Sequence, residues 1–180
     1  PLTIEKGVNS FSSKLKLSKF TVSTSNNDDG IVTFVTGAVH DISEIVITSG
    51  ELRYNNGVAY ENTSPCPVKV QGGMLRVDNF NFEKNYIVLE GGQIYSSQDN
   101  GFVTNLIYNS GSVRVPFNTT ENRPSMVTVL GNISGISKDN PLKLSSDIWP
   151  ASSTASKSFR VIAIPTSDLA VTWDMFDLSD

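Results

Sequence analysis

The chain is 180 residues long, with 14 basic against 18 acidic side chains, a formal net charge of −4 and a sequence pI near 5.0. That length can bury a core as one domain or as two small ones, and the acidic balance speaks against a binder of phosphate backbones, which carries a basic face. A single cysteine, Cys66, and a single histidine, His40, exclude an internal disulfide and a Cys/His zinc site, and no apolar run is long enough to span a bilayer.

From the N-terminus onward the periodicity is that of strands. Leu15, Leu17, Phe20 and Val22 sit two or three apart among polar residues, with Lys14, Lys16 and Lys19 on the wet side. Val68 and Val70, then Leu75 and Val77, alternate around Gly72-Gly73. Such alternation gives one buried and one wet face, as in antiparallel sheets. Gly-Gly between two such runs predicts a hairpin whose turn residues take positive φ. Turn chemistry recurs at 26–30, 55–57, 99–101, 109–111 and 138–141. No segment has sustained helical spacing. The chain is predicted to be all-β with almost no helix.

Two organisations fit these strands. In the first, an offset of about 94 residues pairs 31–39 with 126–133, Val68-Lys69-Val70 with Ile162-Ala163-Ile164, and Leu75 and Val77 with Leu169 and Val171. This predicts an internal duplication: two tandem antiparallel β-sandwich (jelly-roll-like) units, 1–91 and 92–180, meeting near Gly91-Gly92. The alternative follows the glycines. Gly73, Gly92, Gly111 and Gly131 recur at spacings of 19, 19 and 20, and Gly50 lies 23 before Gly73. Each is followed two residues later by Leu52, Leu75, Ile94, Val113 or Ile133, a pattern suited to a parallel β-helix with rungs of about 19 residues. The duplication aligns more positions and is the preferred reading.

Catalytic constellations are sparse. A Ser-His-Asp arrangement would have to use His40, whose counterpart under the duplication is Ser134, so His40 is read as a surface or turn residue beside Asp41. Asp28-Asp29, Asp174 with Asp177, and Glu51 with Glu61 are acid pairs by spacing alone and read as solvated or turn-forming. The chain is expected to be no enzyme, with no catalytic residue, no metal and no cofactor. Aromatics near strand ends carry more information, because such rings can stack on sugars or anchor an interface. The candidate ligand-binding residues are Trp149, in the loop Trp149-Pro150; Arg53 and Tyr54, at the matching place in the first unit; Tyr60; and Trp173.

Residues 112–180 resemble the C-terminal head domains of tailed-phage tail-fibre and baseplate receptor-binding proteins. The likeness lies in Val127-Thr128-Val129-Leu130-Gly131-Asn132-Ile133-Ser134-Gly135, then Leu144-Ser145-Ser146-Asp147-Ile148-Trp149-Pro150, then Phe159-Arg160-Val161-Ile162-Ala163-Ile164 with Leu169-Ala170-Val171. Ser145 and Trp149 depart from the pattern, where the family often has Pro and Arg. The resemblance implies a jelly-roll head on a homotrimeric virion protein that contacts other virion proteins and binds host surface polysaccharide or protein, with no nucleic acid and no membrane insertion. The first unit would then mount the protein and the second would bind. Two alternatives stand beside it: a capsid decoration or head-fibre protein, and a carbohydrate-binding or carbohydrate-active β-helix.

Overall fold

The computed structural model describes residues 1–24, 30–54, 58–60, 65–78, 81–96, 101–118, 123–145, 162–163 and 173–177. In chain order the strands are β1 (Leu2–Ile4), β2 (Asn9–Phe11), β3 (Lys14–Leu17), β4 (Phe20–Val22), β5 (Ile31–Phe34), β6 (Val39–Ile42), β7 (Ile45–Ile47), β8 (Glu51–Tyr54), β9 (Ala59–Tyr60) and β10 (Cys66–Val70). They continue as β11 (Met74–Arg76), β12 (Asn81–Tyr95), β13 (Gly101–Arg114), β14 (Phe117–Asn118), β15 (Arg123–Pro124), β16 (Val127–Val129), β17 (Ile133–Ser134), β18 (Leu142–Ser145), β19 (Ile162–Ala163) and β20 (Phe176–Asp177). One short 3₁₀ turn, Trp173–Met175, is the only helix among the described residues.

The all-β expectation holds, and the strand pairing identifies the architecture as the parallel β-solenoid. Every ladder between named strands is parallel except the small β14–β15 pair. Antiparallel sandwiches are therefore not the arrangement formed. The chain winds as a three-sided coil. Face one stacks β1, β4, β7, β10, 85–89 of β12, 105–108 of β13, and β17. Face two stacks β2, β5, β8, β11, 93–95 of β12, 112–114 of β13, β18 and β20. Face three begins as β3, β6 and β9; further along the axis 81–82, 101–103, β16 and β19 pair in turn.

The alternation read from the sequence is real, but its buried side points into the coil. On face one Phe20, Ile45, Val68, Ile87, Leu106 and Ile133 stack in register. On face two Val32, Leu52, Leu75, Ile94, Val113 and Leu144 do the same. All belong to one continuous core, and each such side chain contributes about 1.5–3 kcal/mol by leaving water. That core takes residues from both 1–91 and 92–180, and β12 runs through Gly91 and Gly92. The 94-residue offset does not join equivalent places: β5 lies on face two and β16 on face three, while Val68 lies on face one and Ile162 on face three. Leu169 and Val171 lie outside the described residues.

Gly72-Gly73 makes a corner between faces, not a hairpin, and neither glycine has positive φ. The reason for glycine is crowding between rungs. Gly30, Gly50, Gly73, Gly92 and Gly111 sit one above another at the corner from face one to face two. A Cβ on Gly50 would lie 2.6 Å from the Gly30 carbonyl oxygen, and one on Gly73 2.6 Å from that of Gly50. Cβ atoms on Gly92 and Gly111 would run into the carbonyls of Gly73 and Gly92. Those carbonyls accept from the next rung: Glu51 N donates to Gly30 O (2.8 Å), Met74 N to Gly50 O (2.8 Å) and Gln93 N to Gly73 O (2.9 Å). Gly131 does not continue the column; it meets Thr104 and Asn105 at a different corner.

Inside the first coils lies an aromatic stack. Phe34 has ring centroids of Phe11, Phe20, His40 and Tyr54 at 5.7, 5.5, 5.3 and 5.0 Å. His40 is wholly buried on β6, so it is an interior residue and not the surface residue its neighbour Asp41 suggested. Cys66 is buried too, and burial pushes its thiol up to about 12, which leaves it protonated at neutral pH.

One ionic ladder braces the rungs outside the core. Glu44 contacts Lys69 Nζ at 2.6 Å and Lys19 Nζ at 3.3 Å. The hydrogen bond from Lys69, then that from Lys19, holds its carboxyl below the ordinary value against the opposing effect of burial. A carboxyl depressed in the folded state stabilises above its ordinary value, and that contribution fades as pH falls through the depressed one. Glu44→Gln should therefore lower the urea midpoint at pH 7, and the gap from wild type should close as the pH is brought below the Glu44 titration. A gap that persists unchanged in acid would mean the ladder contributes nothing through charge.

Candidate functional site

The outer side of face two carries a column of polar side chains in register. Thr33, Arg53, Arg76, Tyr95, Arg114 and Ser145 are paired rung to rung. Strand alternation explains the placement: their neighbours Leu52, Leu75, Ile94 and Val113 point inward and are fully buried, so these must point out. The Arg53 and Arg76 side chains keep 35% and 31% of their surface exposed, enough to meet a ligand.

The column is held rigidly. Arg53 donates through Nε (2.6 Å) and Nη2 (2.8 Å) to the two carboxylate oxygens of Glu51, two residues back on the same strand. That hydrogen bond raises the Arg53 pKa further, so it is a cation at any working pH. Arg76 Nε donates to Asp78 Oδ2 at 2.5 Å, and Ser96 Oγ lies 3.3 Å from Asp78 Oδ1. The Tyr95 ring stands between two guanidiniums, with Arg76 Cζ 5.3 Å and Arg114 Cζ 5.7 Å from its centroid. Cation–π contact of this kind fixes long arginines at little entropic cost on binding.

The column borders one corner of the coil, and that corner grows along the axis. Between face two and face three the chain spends two residues (12–13) in the first coil and four (35–38, 55–58, 77–80) in the next three. It then spends five (96–100), twelve (115–126) and sixteen (146–161). The 115–126 excursion carries the β14–β15 pair. In solenoids, insertions gathered on one face often border the binding side.

The sequence candidates distribute unevenly over this site. Arg53 is in the column. Tyr54, its neighbour, points the other way and is 3% exposed inside the aromatic stack, so it cannot touch a ligand. Tyr60 ends β9 on face three, just past the same corner, and Trp173 opens the 3₁₀ turn before β20; the described geometry there is that of the backbone. Trp149 follows β18 in the sequence and lies outside the described residues. Arg76, Tyr95 and Arg114 complete the column, and the sequence signal for them is their 19-residue spacing.

Among the described residues no group of three His, Cys, Asp or Glu could hold a metal ion, and no helix is long and apolar enough to cross a membrane. Comparison with known proteins finds no matching family, no similar curated protein and no similar solved structure.

Proposed function

We propose that this chain is a non-catalytic attachment module that binds a surface glycan along face two. The observation that carries this is the in-register Arg53–Arg76–Tyr95–Arg114 column beside the lengthening corner. A rigid, repeating row of hydrogen-bond donors suits a repeating polymer better than a small molecule, because each rung offers the ligand a similar contact. The acids on this face support binding over hydrolysis: Glu51 and Asp78 each hold a guanidinium, and a glycosidase needs an acid and a base directed at the substrate. The virion setting and a trimeric assembly are carried by the likeness of 127–135 and 144–150 to phage fibre heads. The jelly-roll that likeness implies is not the fold formed, so the glycan reading stands on face two.

The test is a panel of purified bacterial surface polysaccharides probed with the wild-type protein and Arg114→Ala. At least one polysaccharide should bind, and the variant should bind it about tenfold or more weakly, as expected for losing a charged hydrogen-bond donor. Binding that ignores Arg114→Ala, or no binding to any polysaccharide, would overturn the proposal.

A further inference from the structure

We infer that the ligand of this column is an acidic polysaccharide lying parallel to the solenoid axis, its carboxylates meeting the guanidinium edges from Arg53 to Arg114. The inference rests on the glycan-binding reading above. Four consecutive rungs supply the column without interruption. With rungs about 4.8 Å apart it extends for roughly 14 Å along the axis and only one side chain across. A pyranose and its linkage advance by a length comparable to one rung, so a linear glycan can keep step with it.

The chemistry points to carboxylates. A guanidinium presents planar paired donors that fit a carboxylate in two-point contact, whereas hydroxyls take single bonds; with the Nε–Nη2 edge of Arg53 held by Glu51 and Nε of Arg76 held by Asp78, a ligand carboxylate would meet the outer Nη1–Nη2 edges. Tyr95 is flanked by Arg76 and Arg114, so its ring contacts are spent on cations and the row offers donor edges to a ligand more than an open ring for stacking. Lys143, exposed on β18 in register with Ser112, adds a cation beside that end of the column, with Asp177 paired opposite it. Glu51 and Asp78 set the upper limit on ligand charge. Together with the net charge of −4 they disfavour a polyanion with a charge at every step, such as nucleic acid, and admit a polymer of spaced carboxylates.

The experiment is calorimetric titration with oligogalacturonates of increasing length, their methyl esters as uncharged twins, and single-stranded DNA as a polyphosphate. The acid form should bind at least about tenfold more tightly than the ester. Its affinity should weaken with added salt and rise with length until the chain spans the column. Arg114→Ala should lose about tenfold, and Arg114→Lys, which keeps the charge but not the planar fork, should recover part of it; circular dichroism should show both variants folded. An ester that binds as tightly as the acid, or DNA that binds more tightly than either, would overturn the inference. If the polysaccharide panel still shows Arg114-dependent binding when the oligogalacturonates show none or no charge preference, the acidic ligand fails and the attachment reading survives. If the panel is also blank, both fail.

Discussion

Gly111→Ala is expected to lower the thermal unfolding midpoint by about 6–12 °C, the counterpart of roughly 3 kcal/mol in a chain of this size. Two costs combine. Gly111 has φ +102°, a region that side-chain-bearing residues rarely occupy. Its new Cβ would also meet the Gly92 carbonyl, with Gly91 C and Gly92 N at 3.2 Å, and this is backbone that cannot swing aside. Separating the rungs would stretch ladder hydrogen bonds on either side of the corner. Gly37→Ala is the control: φ is +89° there, but nothing lies within 4 Å of the added carbon. It should show the strain alone, about 1 kcal/mol. Equal shifts for the two variants, read by far-UV circular dichroism, would refute stacking as the reason for the glycine column.

Phe34→Ala should cost about 4 kcal/mol in urea denaturation, within the range for a buried aromatic. The ring is fully buried and touches four others, so truncation empties the centre of the stack and leaves Phe11, Phe20, His40 and Tyr54 without a common partner. Its consequence should be local. A solenoid rung contacts chiefly its neighbours, so the damage should loosen the first coils before the rest. Amide exchange should accelerate most over β1–β8, while β12 and β13 keep their protection. Loss spread evenly along the chain would show that the coils unfold as one unit.

Much of this architecture was written in the sequence and open to two readings. Alternation at Val68, Val70, Leu75 and Val77 reports one buried face, and the same pattern serves an antiparallel hairpin or two sides of a parallel coil; nothing local separates them. The 94-residue offset joins strands on different faces of the coil, so its matches come from the apolar alternation that all three faces share and not from equivalent places. The glycine ladder held the right period because crowding at a stacked corner excludes every other residue. Gly131 shares the spacing without sharing the corner, since later corners lengthen and the period drifts.

The site was legible in part for the same reason. Arg76, Tyr95 and Arg114 keep the 19-residue step of Gly73, Gly92 and Gly111, and following that step at polar positions would have assembled the column. Tyr54 could not be placed from sequence alone. Arg53 and Tyr54 are adjacent, and which of them faces outward depends on the phase of β8, set by Leu52 entering the core. The same holds for His40, whose inward phase comes from pairing with Leu15 and Tyr60 on face three.

The even tread of the middle coils has a consequence for how such a protein can change. From Gly73 to Gly92 and from Gly92 to Gly111 each turn consumes the same number of residues and returns the strands of faces one and two to the same register. A turn is therefore an exchangeable part. Gaining or losing one would lengthen or shorten the outer row by a single step and leave both flanking joints as they were. The reach of the surface can be altered in whole increments, while its chemistry is altered separately in the corner segments.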